Sequence, residues 1–230
     1  MTGWTIHQGI AAPMLEDNVN TDAIIPSKEM KRVSKAGMAE GLFANLRYEG
    51  DRDPVAEFVL NRSPFGNASI LLTGSNFGCG SSREHAVWAL KDYGFRAIIA
   101  EAFGGIFFDN CMANGVVPVG LPKDHISEIA AWCETDPEAR KPLINLDKMV
   151  VCTERSYSFQ LPEAGHHMIT TGQSPIDLTL AHKNAIDMFA QKDKATRPWL
   201  YHPAQMASPG KTISRATSSN EHKMNGIADR

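Results

Sequence analysis

The stretch Gly78-Cys79-Gly80-Ser81-Ser82-Arg83-Glu84-His85 decides how the rest of the chain is interpreted. It follows an apolar run at 69–73, which predicts a buried strand, and it leads into a helical pattern from Ser82 to Tyr93. The first N–H groups of a helix lack intrahelical partners and carry a partial positive charge, so a carboxylate is stabilised there. Arg83 adds a planar donor fork that suits a carboxylate. The stretch is therefore predicted to bind an anion where a strand turns into a helix.

A more ordinary interpretation fits the same residues. Ser81 and Glu84 match a capping box, in which the serine oxygen accepts from an early helical N–H and the glutamate reaches back. His85 could take the proton of a neighbouring serine, or it could be a surface residue. Cys79 could be a reactive thiolate, which a helix start favours, or a small residue in a tight turn. The residues alone leave these alternatives open.

Further motifs accompany this stretch. The runs that stand out are Asn18-Val19-Asn20-Thr21-Asp22-Ala23-Ile24-Ile25-Pro26, Asn76-Phe77-Gly78-Cys79-Gly80-Ser81-Ser82-Arg83-Glu84-His85-Ala86, Ile106-Phe107-Phe108-Asp109-Asn110-Cys111 and Asn114-Gly115-Val116-Val117-Pro118-Val119. Together they resemble one family, the small subunit of bacterial 3-isopropylmalate dehydratase, in order over roughly residues 3 to 200. The resemblance implies an α/β fold, the swivelling β/β/α domain of the aconitase superfamily, with a largely parallel central sheet and flanking helices.

The resemblance implies a chemical role for individual residues. In these hydro-lyases a serine of the Gly-Ser-Ser-Arg motif removes a proton from the carbon next to a carboxylate, and Ser81 stands at that position. Ser82 and Arg83 would bind the carboxylate, where negative charge builds up during the reaction. Lys31 and Arg32, in the loop after the Asn-Thr-Asp motif, would bind a second carboxylate of the small dicarboxylic acid substrate. A solvated helix start is the alternative for this pair.

The resemblance also implies a partner and a cofactor. In the family a separate large subunit carries a four-iron four-sulfur cluster, so this chain alone would bind no cofactor and no metal. The heterodimer would isomerise 2-isopropylmalate and 3-isopropylmalate through 2-isopropylmaleate in leucine biosynthesis, and the small subunit would be inactive by itself. The cysteines agree with this expectation, because Cys79, Cys111, Cys133 and Cys152 are scattered and form no C-x-x-C pair.

Two departures from the family pattern concern the substrate and the partner. Relatives often place an aromatic residue where Glu29 stands. They also commonly carry a Phe-Arg-Arg-His-Cys-like run near residues 164–168, where this chain has Ala-Gly-His-His-Met. The alternative function is therefore a related hydro-lyase subunit acting on a citraconate-type or dimethylmalate-type diacid. The adjacent His166 and His167 are expected to point apart on a strand, which argues against a metal site.

Composition excludes several classes of protein. A net charge of −3, from 23 basic and 26 acidic residues, leaves no broad basic surface for nucleic acid. No apolar run approaches the ~20 residues of a membrane helix, and the N-terminus lacks the pattern of a signal peptide, so a cytoplasmic protein is expected. The glycine-rich stretch also lacks the Lys-Ser/Thr pair of a P-loop and has Arg83 where a dinucleotide site requires its third glycine.

Strand and helix patterns alternate along the chain, which predicts βαβ units and a largely parallel sheet. One domain is expected over residues 1–203, and the polar residues 204–230 are expected to form a disordered tail. Helical character is also expected between residues 28 and 48. The predicted strands are 4–10, 69–73, 96–100, 116–121, 143–152 and 157–161, and the predicted helices are 82–93, 105–114 and 176–191.

Overall fold

The structure, a computed structural model, describes residues 2–30 and 36–201. The chain divides into two compact units, Met1–Ala181 and His182–Arg230. The predicted boundary at residue 203 and the predicted tail at 204–230 lie outside the described residues and stay predictions.

The described part of the first unit contains ten strands. They are β1 (Ile6–Gln8), β2 (Ala11–Met14), β3 (Tyr48–Glu49), β4 (Asp53–Pro54), β5 (Ile70–Thr73), β6 (Ala97–Ala100), β7 (Val117–Gly120), β8 (Leu143–Asn145), β9 (Val150–Cys152) and β10 (Ser156–Ser158).

The described residues also form eight α-helices, of which the last belongs to the second unit. They are α1 (Thr21–Ile24), α2 (Ala44–Arg47), α3 (Glu84–Tyr93), α4 (Gly105–Asn114), α5 (Lys123–Thr135), α6 (Glu163–Thr171), α7 (Pro175–Leu180) and α8 (Lys183–Thr196). Short 3-10 helices occupy Ser27–Glu29, Ala39–Gly41, Val59–Asn61, Phe65–Asn67 and Pro198–Leu200.

Four strands form the parallel sheet that the sequence predicts, in the order β2-β5-β6-β7. Every residue of β5 and β6 is buried, as expected of central parallel strands covered on both faces. Leu71 of β5 packs into one core cluster, whereas Ile70 and Leu72 pack into a second, because successive side chains of a strand point to opposite faces. The sheet therefore separates two apolar cores.

Helices α3 and α4 contribute to the first core. Ala86, Ala89 and Leu90 of α3 have no exposed area there, and Phe107 and Cys111 of α4 are also buried. The spacing of these three α3 residues is the helical pattern that the sequence shows between Ser82 and Tyr93. The bounds of α4 agree with the predicted helix at 105–114.

An antiparallel sheet, ordered β1-β8-β9-β10, shares the second core with the parallel sheet. Ile144 of β8 and Val151 of β9 are fully buried in it. Helix α5, for which the sequence analysis makes no prediction, adds Ile126 and Ile129. Its apolar residues recur every three to four positions, the signal by which it could have been found.

Two predictions for residues 162–191 were wrong. His166 and His167 lie on helix α6 rather than on a strand, between Pro162 at its start and Gly172, whose φ of 74° closes its end. The helix predicted over 176–191 is two helices, α7 and α8, interrupted at Ala181 and His182. Leu180, Ile186 and Phe189, the apolar positions of the predicted amphipathic helix, are 56%, 44% and 63% exposed.

The second unit is described from His182 to Tyr201. It contains α8 and the 3-10 helix Pro198–Leu200. Lys183 and Asp187 form an i,i+4 ion pair on α8 at 2.6 Å. Within residues 2–30 and 36–201, every helix is too short or too polar to span a bilayer.

Candidate active site

The glycine-rich motif lies in a loop at the carboxyl end of β5, which we call the serine loop (residues 74–83). Strand β2 ends at the same edge and leads into the Asn-Thr-Asp segment (residues 18–22). The carboxyl ends of parallel strands are where open α/β sheets bind their ligands. The topology therefore brings two of the predicted motifs together.

Backbone hydrogen bonds hold the serine loop and the Asn-Thr-Asp segment side by side. The Asn18 N–H donates to the Ser75 carbonyl at 2.8 Å, and the Gly78 N–H donates to the Val19 carbonyl at 2.8 Å. On its other side the loop contacts the chain that follows β6, because the Phe77 N–H donates to the Ala102 carbonyl at 3.0 Å. The loop is thus fixed from both sides by segments distant in sequence.

Gly78 is required where the loop passes α4. Its φ is +73°, a conformation that favours glycine. A Cβ at this position would lie 2.2 Å from Cγ of Phe107, which is itself buried. The ring of Phe107 therefore packs directly against the loop backbone.

The predicted residues Ser81, Ser82 and Arg83 line one cavity of about 270 Å³. The start of α4 lines the same cavity with Gly105 and Ile106. N–H groups in the first turn of a helix have no intrahelical acceptor and favour an anion. The cavity thus combines hydroxyl groups, a guanidinium and a helix N-terminus.

The helix start at this cavity differs from the predicted one. Helix α3 begins at Glu84, with Arg83 as its N-cap in an extended conformation, so the prediction that it begins at Ser82 was wrong. The capping box of Ser81 and Glu84 is not formed. The Glu84 carboxylate instead accepts from the Asn114 side-chain amide at 2.8 Å. Helix α4 supplies the N-terminus that the sequence analysis assigned to α3.

Arg83 is held by the Asn-Thr-Asp segment. Its Nη1 donates to Asp22 Oδ1, which also accepts a weaker bond from the Ser27 hydroxyl at 3.4 Å. The Arg83 side chain is only 21% exposed. Because a guanidinium has five N–H donors and this bond uses one, the ion pair orients Arg83 while leaving capacity for a carboxylate.

His85 and Cys79, the two residues with open roles, differ in position. Among the described residues, His85 does not line the cavity, and its ring lies 4.6 Å from that of Trp88 between centroids. Cys79 lines the cavity, and its thiol donates to the Asn18 carbonyl at 3.5 Å. The thiol thus contacts the Asn-Thr-Asp segment.

Lys31 and Arg32 lie outside the described residues, so their predicted substrate contacts stay predictions. Glu29, which replaces the usual aromatic residue, is described. Its carboxylate accepts from Arg52 Nη2 at 2.6 Å, and its side chain is 17% exposed. Together with Tyr48 these residues line a cavity of about 360 Å³ that shares no lining residue with the serine-loop cavity. The change to glutamate is therefore accommodated by a partner of opposite charge.

The cysteines do not converge on a metal site within the described chain. All four are free, and Cys111 and Cys133 are buried. Burial raises the pKa of the Cys111 thiol well above its usual range, and it raises the pKa of Cys133 to about 12. Residues 2–30 and 36–201 contain no group of three or more His, Cys, Asp or Glu side chains placed to hold a metal ion.

Comparison with known proteins identifies the family. The aconitase C-terminal domain matches residues 1–124. The 3-isopropylmalate dehydratase small subunit of Cupriavidus necator is 49% identical over 205 residues, which cover 87% of this chain and 99% of that protein. The chain belongs to the 3-isopropylmalate dehydratase small-subunit family. The resemblance stated from the motifs is thereby confirmed.

Other members support the same assignment. The small subunit of Roseobacter denitrificans is 39% identical over 202 residues, covering 87% of this chain and all of that protein. The crystal structure of 3-isopropylmalate dehydratase from Methanocaldococcus jannaschii is 26% identical, with a TM-score of 0.59 over 80% of this chain and 98% of that one. The predicted fold class, an aconitase-type swivel domain with a parallel sheet and flanking helices, is confirmed in this small subunit.

Proposed function

We propose that this small subunit completes a 3-isopropylmalate dehydratase, a hydro-lyase that interconverts 2-isopropylmalate and 3-isopropylmalate through 2-isopropylmaleate in leucine biosynthesis. Relatives that the chain matches over nearly their whole length carry this enzyme's name. The single observation that carries the proposal is the convergence of Ser81, Ser82 and Arg83 on one cavity at the carboxyl edge of the parallel sheet.

Ser81 is assigned as the base. As the alkoxide, Ser81 takes a proton from the carbon next to a substrate carboxylate, and the electron pair of that C–H bond forms the C=C bond as hydroxide leaves the neighbouring carbon. Passing the proton from Ser81 to the hydroxide restores the alkoxide, so the net products are 2-isopropylmaleate and one water molecule. A serine base needs its oxygen stabilised as an anion. Helix α4 begins at the same cavity, which Gly105 and Ile106 line. Its first-turn N–H groups can stabilise the Ser81 oxygen as an anion.

Arg83 and Ser82 are assigned to the carboxylate next to the reacting carbon. Proton removal shifts negative charge onto that carboxylate, so donors that contact it stabilise the transition state more than the ground state. The ion pair with Asp22 holds the Arg83 guanidinium in one orientation before the substrate arrives. Lys31 and Arg32 are proposed to bind the second carboxylate.

A large subunit is proposed as the obligatory partner. The described cysteines of this chain are too dispersed to hold an iron–sulfur cluster, so we assign the four-iron four-sulfur cluster of the family to that subunit. When bound there, it supplies a Lewis acid for the departing hydroxyl. The four free thiols also support a reducing compartment, and we place the enzyme in the cytoplasm.

Reconstitution tests the proposed function. The full chain is mixed with an iron–sulfur large subunit from the same source, and 2-isopropylmaleate formation from 3-isopropylmalate is measured. We expect no turnover by either subunit alone and turnover by the pair. The same pair is then assayed with citraconate-type and dimethylmalate-type diacids. Turnover of one of these without turnover of 3-isopropylmalate would replace the proposed substrate, although the names of the relatives do not favour that alternative.

Arg83→Lys is expected to lower kcat/KM of the reconstituted pair by about 10–100-fold. Lysine keeps the charge but loses the planar fork, and hydrogen bonds to a charged group contribute about 1.5–3 kcal/mol. Arg140→Lys is the matched control, because Arg140 lies outside the cavity and stacks over Trp132 at 5.8 Å. Steady-state kinetics of both variants make the comparison. If Arg83→Lys retained the kinetics of the control, Arg83 would have a structural role only.

A further inference from the structure

We propose that Thr21 is a positioning residue for Ser81, which sets the direction of the base through the Ser81 backbone. This inference rests on the proposed function, because it presumes that Ser81 reacts with substrate. It starts from two hydrogen bonds that Thr21 makes to the serine loop. The Thr21 N–H donates to the Cys79 carbonyl at 3.0 Å, and the Thr21 hydroxyl donates to the Ser81 carbonyl at 2.9 Å.

The two bonds lie on either side of a glycine of the loop. Gly80 lies between the two acceptor carbonyls and has a φ of +88°. A Cβ on Gly80 would lie 3.5 Å from Cβ of Asn20 and 4.0 Å from the Thr21 hydroxyl oxygen, so the turn lies directly over the Asn-Thr-Asp segment. Fixing the carbonyls on both sides of a glycine restricts rotation about its backbone bonds. Thr21 therefore limits the orientations available to Ser81.

Thr21 itself is held rigidly. It is 2% exposed, and it is the first residue of α1. The Asn20 side chain caps this helix by accepting from the Ala23 N–H at 2.8 Å, and Ile24 anchors the helix in the first core with no exposed area. Because Thr21 is buried on a capped helical turn, its own position is fixed, and its hydrogen bonds can hold the serine loop in place.

Thr21 also lines the serine-loop cavity, but its single hydroxyl hydrogen is donated to the Ser81 carbonyl. It has no second hydrogen to donate to a substrate carboxylate, so we assign its effect on the reaction to Ser81. Ser81 is exposed and lies before the first residue of α3, so the helix does not fix its backbone. The position of the base then depends on contacts such as this one, and a misplacement of about 1 Å can cost roughly 100-fold in rate.

Three variants in the reconstituted pair test the proposal. Thr21→Val keeps the shape and removes the hydroxyl, and Thr21→Ser keeps the hydroxyl. Thr73→Val is the matched control, because Thr73 is also fully buried and its hydroxyl donates to a backbone carbonyl, that of Glu16, at 3.3 Å. For Thr21→Val we expect kcat to fall by about 10–100-fold with little change in KM. Thr21→Ser should have most of the wild-type kcat, and Thr73→Val should have the wild-type kcat.

Hydrogen exchange in the isolated full-length chain gives a readout that needs no activity. Thr21→Val should increase amide exchange at Ser81, Ser82 and Arg83, and Thr73→Val should not. If Thr21→Val does not fold, Thr21→Ala, which is smaller and cannot clash, replaces it. An unchanged kcat in a folded Thr21 variant that lacks the hydroxyl, or an equal loss in Thr73→Val, would overturn the proposal.

The proposed function and the positioning role of Thr21 can be contradicted separately. If the wild-type pair dehydrates no substituted malate, the proposed function is wrong, whatever the Thr21 variants show. If the wild-type pair is active and Thr21→Val matches it in kcat and in exchange, the function stands and the positioning role is wrong.

Discussion

Replacing Ser81 with alanine is expected to lower kcat of the reconstituted pair by about 10²–10⁴-fold, because the variant lacks the group that accepts the proton. KM should change little, since Arg83 and Ser82 remain to bind the carboxylate. Ser81 is exposed and does not cap α3, so the free energy of unfolding should change by less than about 0.5 kcal/mol. Steady-state kinetics and urea denaturation measure the two effects.

Ser127→Ala is the matched control for this variant. Ser127 lies on α5, is exposed, and donates its hydroxyl to the Lys123 carbonyl at 3.0 Å. It should keep full turnover in a pair that assembles normally. Full activity of Ser81→Ala under the same conditions would end the assignment of Ser81 as the base.

Gly78→Ala is expected to destabilise the chain by about 2–4 kcal/mol, the sum of overpacking against a buried ring and a left-handed backbone for a residue with a Cβ. The added carbon would meet the ring of Phe107, with its closest contact at 2.2 Å. Phe107 is 3% exposed and packs edge-on against Phe77, with 5.4 Å between ring centroids. The ring has little room to move, so the loop must shift instead.

Urea denaturation followed by circular dichroism measures this loss. Gly120→Ala serves as the control, because Gly120 ends β7 and a Cβ there would meet nothing within 4 Å. Its free energy of unfolding should stay within about 0.5 kcal/mol of the wild type. Equal stability of Gly78→Ala and Gly120→Ala would show that the serine loop does not pack against Phe107 as described.

The parallel sheet could be predicted because each central strand is a short apolar run. Strand β5 follows Ser69 and ends before Gly74, and the β6 run ends before the polar Glu101, so local composition marks both strands. Strand β2 was missed, since Pro13 within it is unfavourable in a strand interior. The structure places β2 at the edge of the sheet, where a proline is tolerated.

Ser81, Ser82 and Arg83 were predicted as site residues, but the placement of α4 beside them was not. The local sequence pattern predicted that α3 begins at Ser82. In the structure, Thr21 contacts Ser81 and Asp22 contacts Arg83, and these contacts hold both residues in the loop. These contacts join residues about 60 positions apart. Periodicity within a short window cannot reveal them.

The role of α4 was missed for the same reason. The sequence predicts the helix itself, yet its place beside the serine loop depends on long-range bonds. The Gly104 N–H donates to the Phe77 carbonyl at 2.9 Å, and a Cβ on Gly104 would lie 2.6 Å from the Gly78 carbonyl oxygen. The two adjacent glycines, Gly104 and Gly105, were the available signal of a close backbone approach.

The partner of Glu29 could not be predicted from the sequence either. Arg52 is the last residue of the turn between β3 and β4 and has a φ of +75°. Its guanidinium also lies 5.4 Å from the ring centroid of Tyr48, and it donates to the Glu40 carbonyl at 3.0 Å. Only the folded hairpin brings Arg52 to Glu29, so a carboxylate that departs from the family pattern has a local electrostatic explanation.

A structure of the reconstituted pair with bound 2-isopropylmaleate tests the central claim most directly. The decisive measurement is the distance from Ser81 Oγ to the carbon that gains or loses the proton. We expect about 3–3.5 Å, the separation of groups ready to react, with Arg83 on the neighbouring carboxylate. A Ser81 hydroxyl directed away from that carbon, with a side chain of the large subunit in its place, would contradict the account.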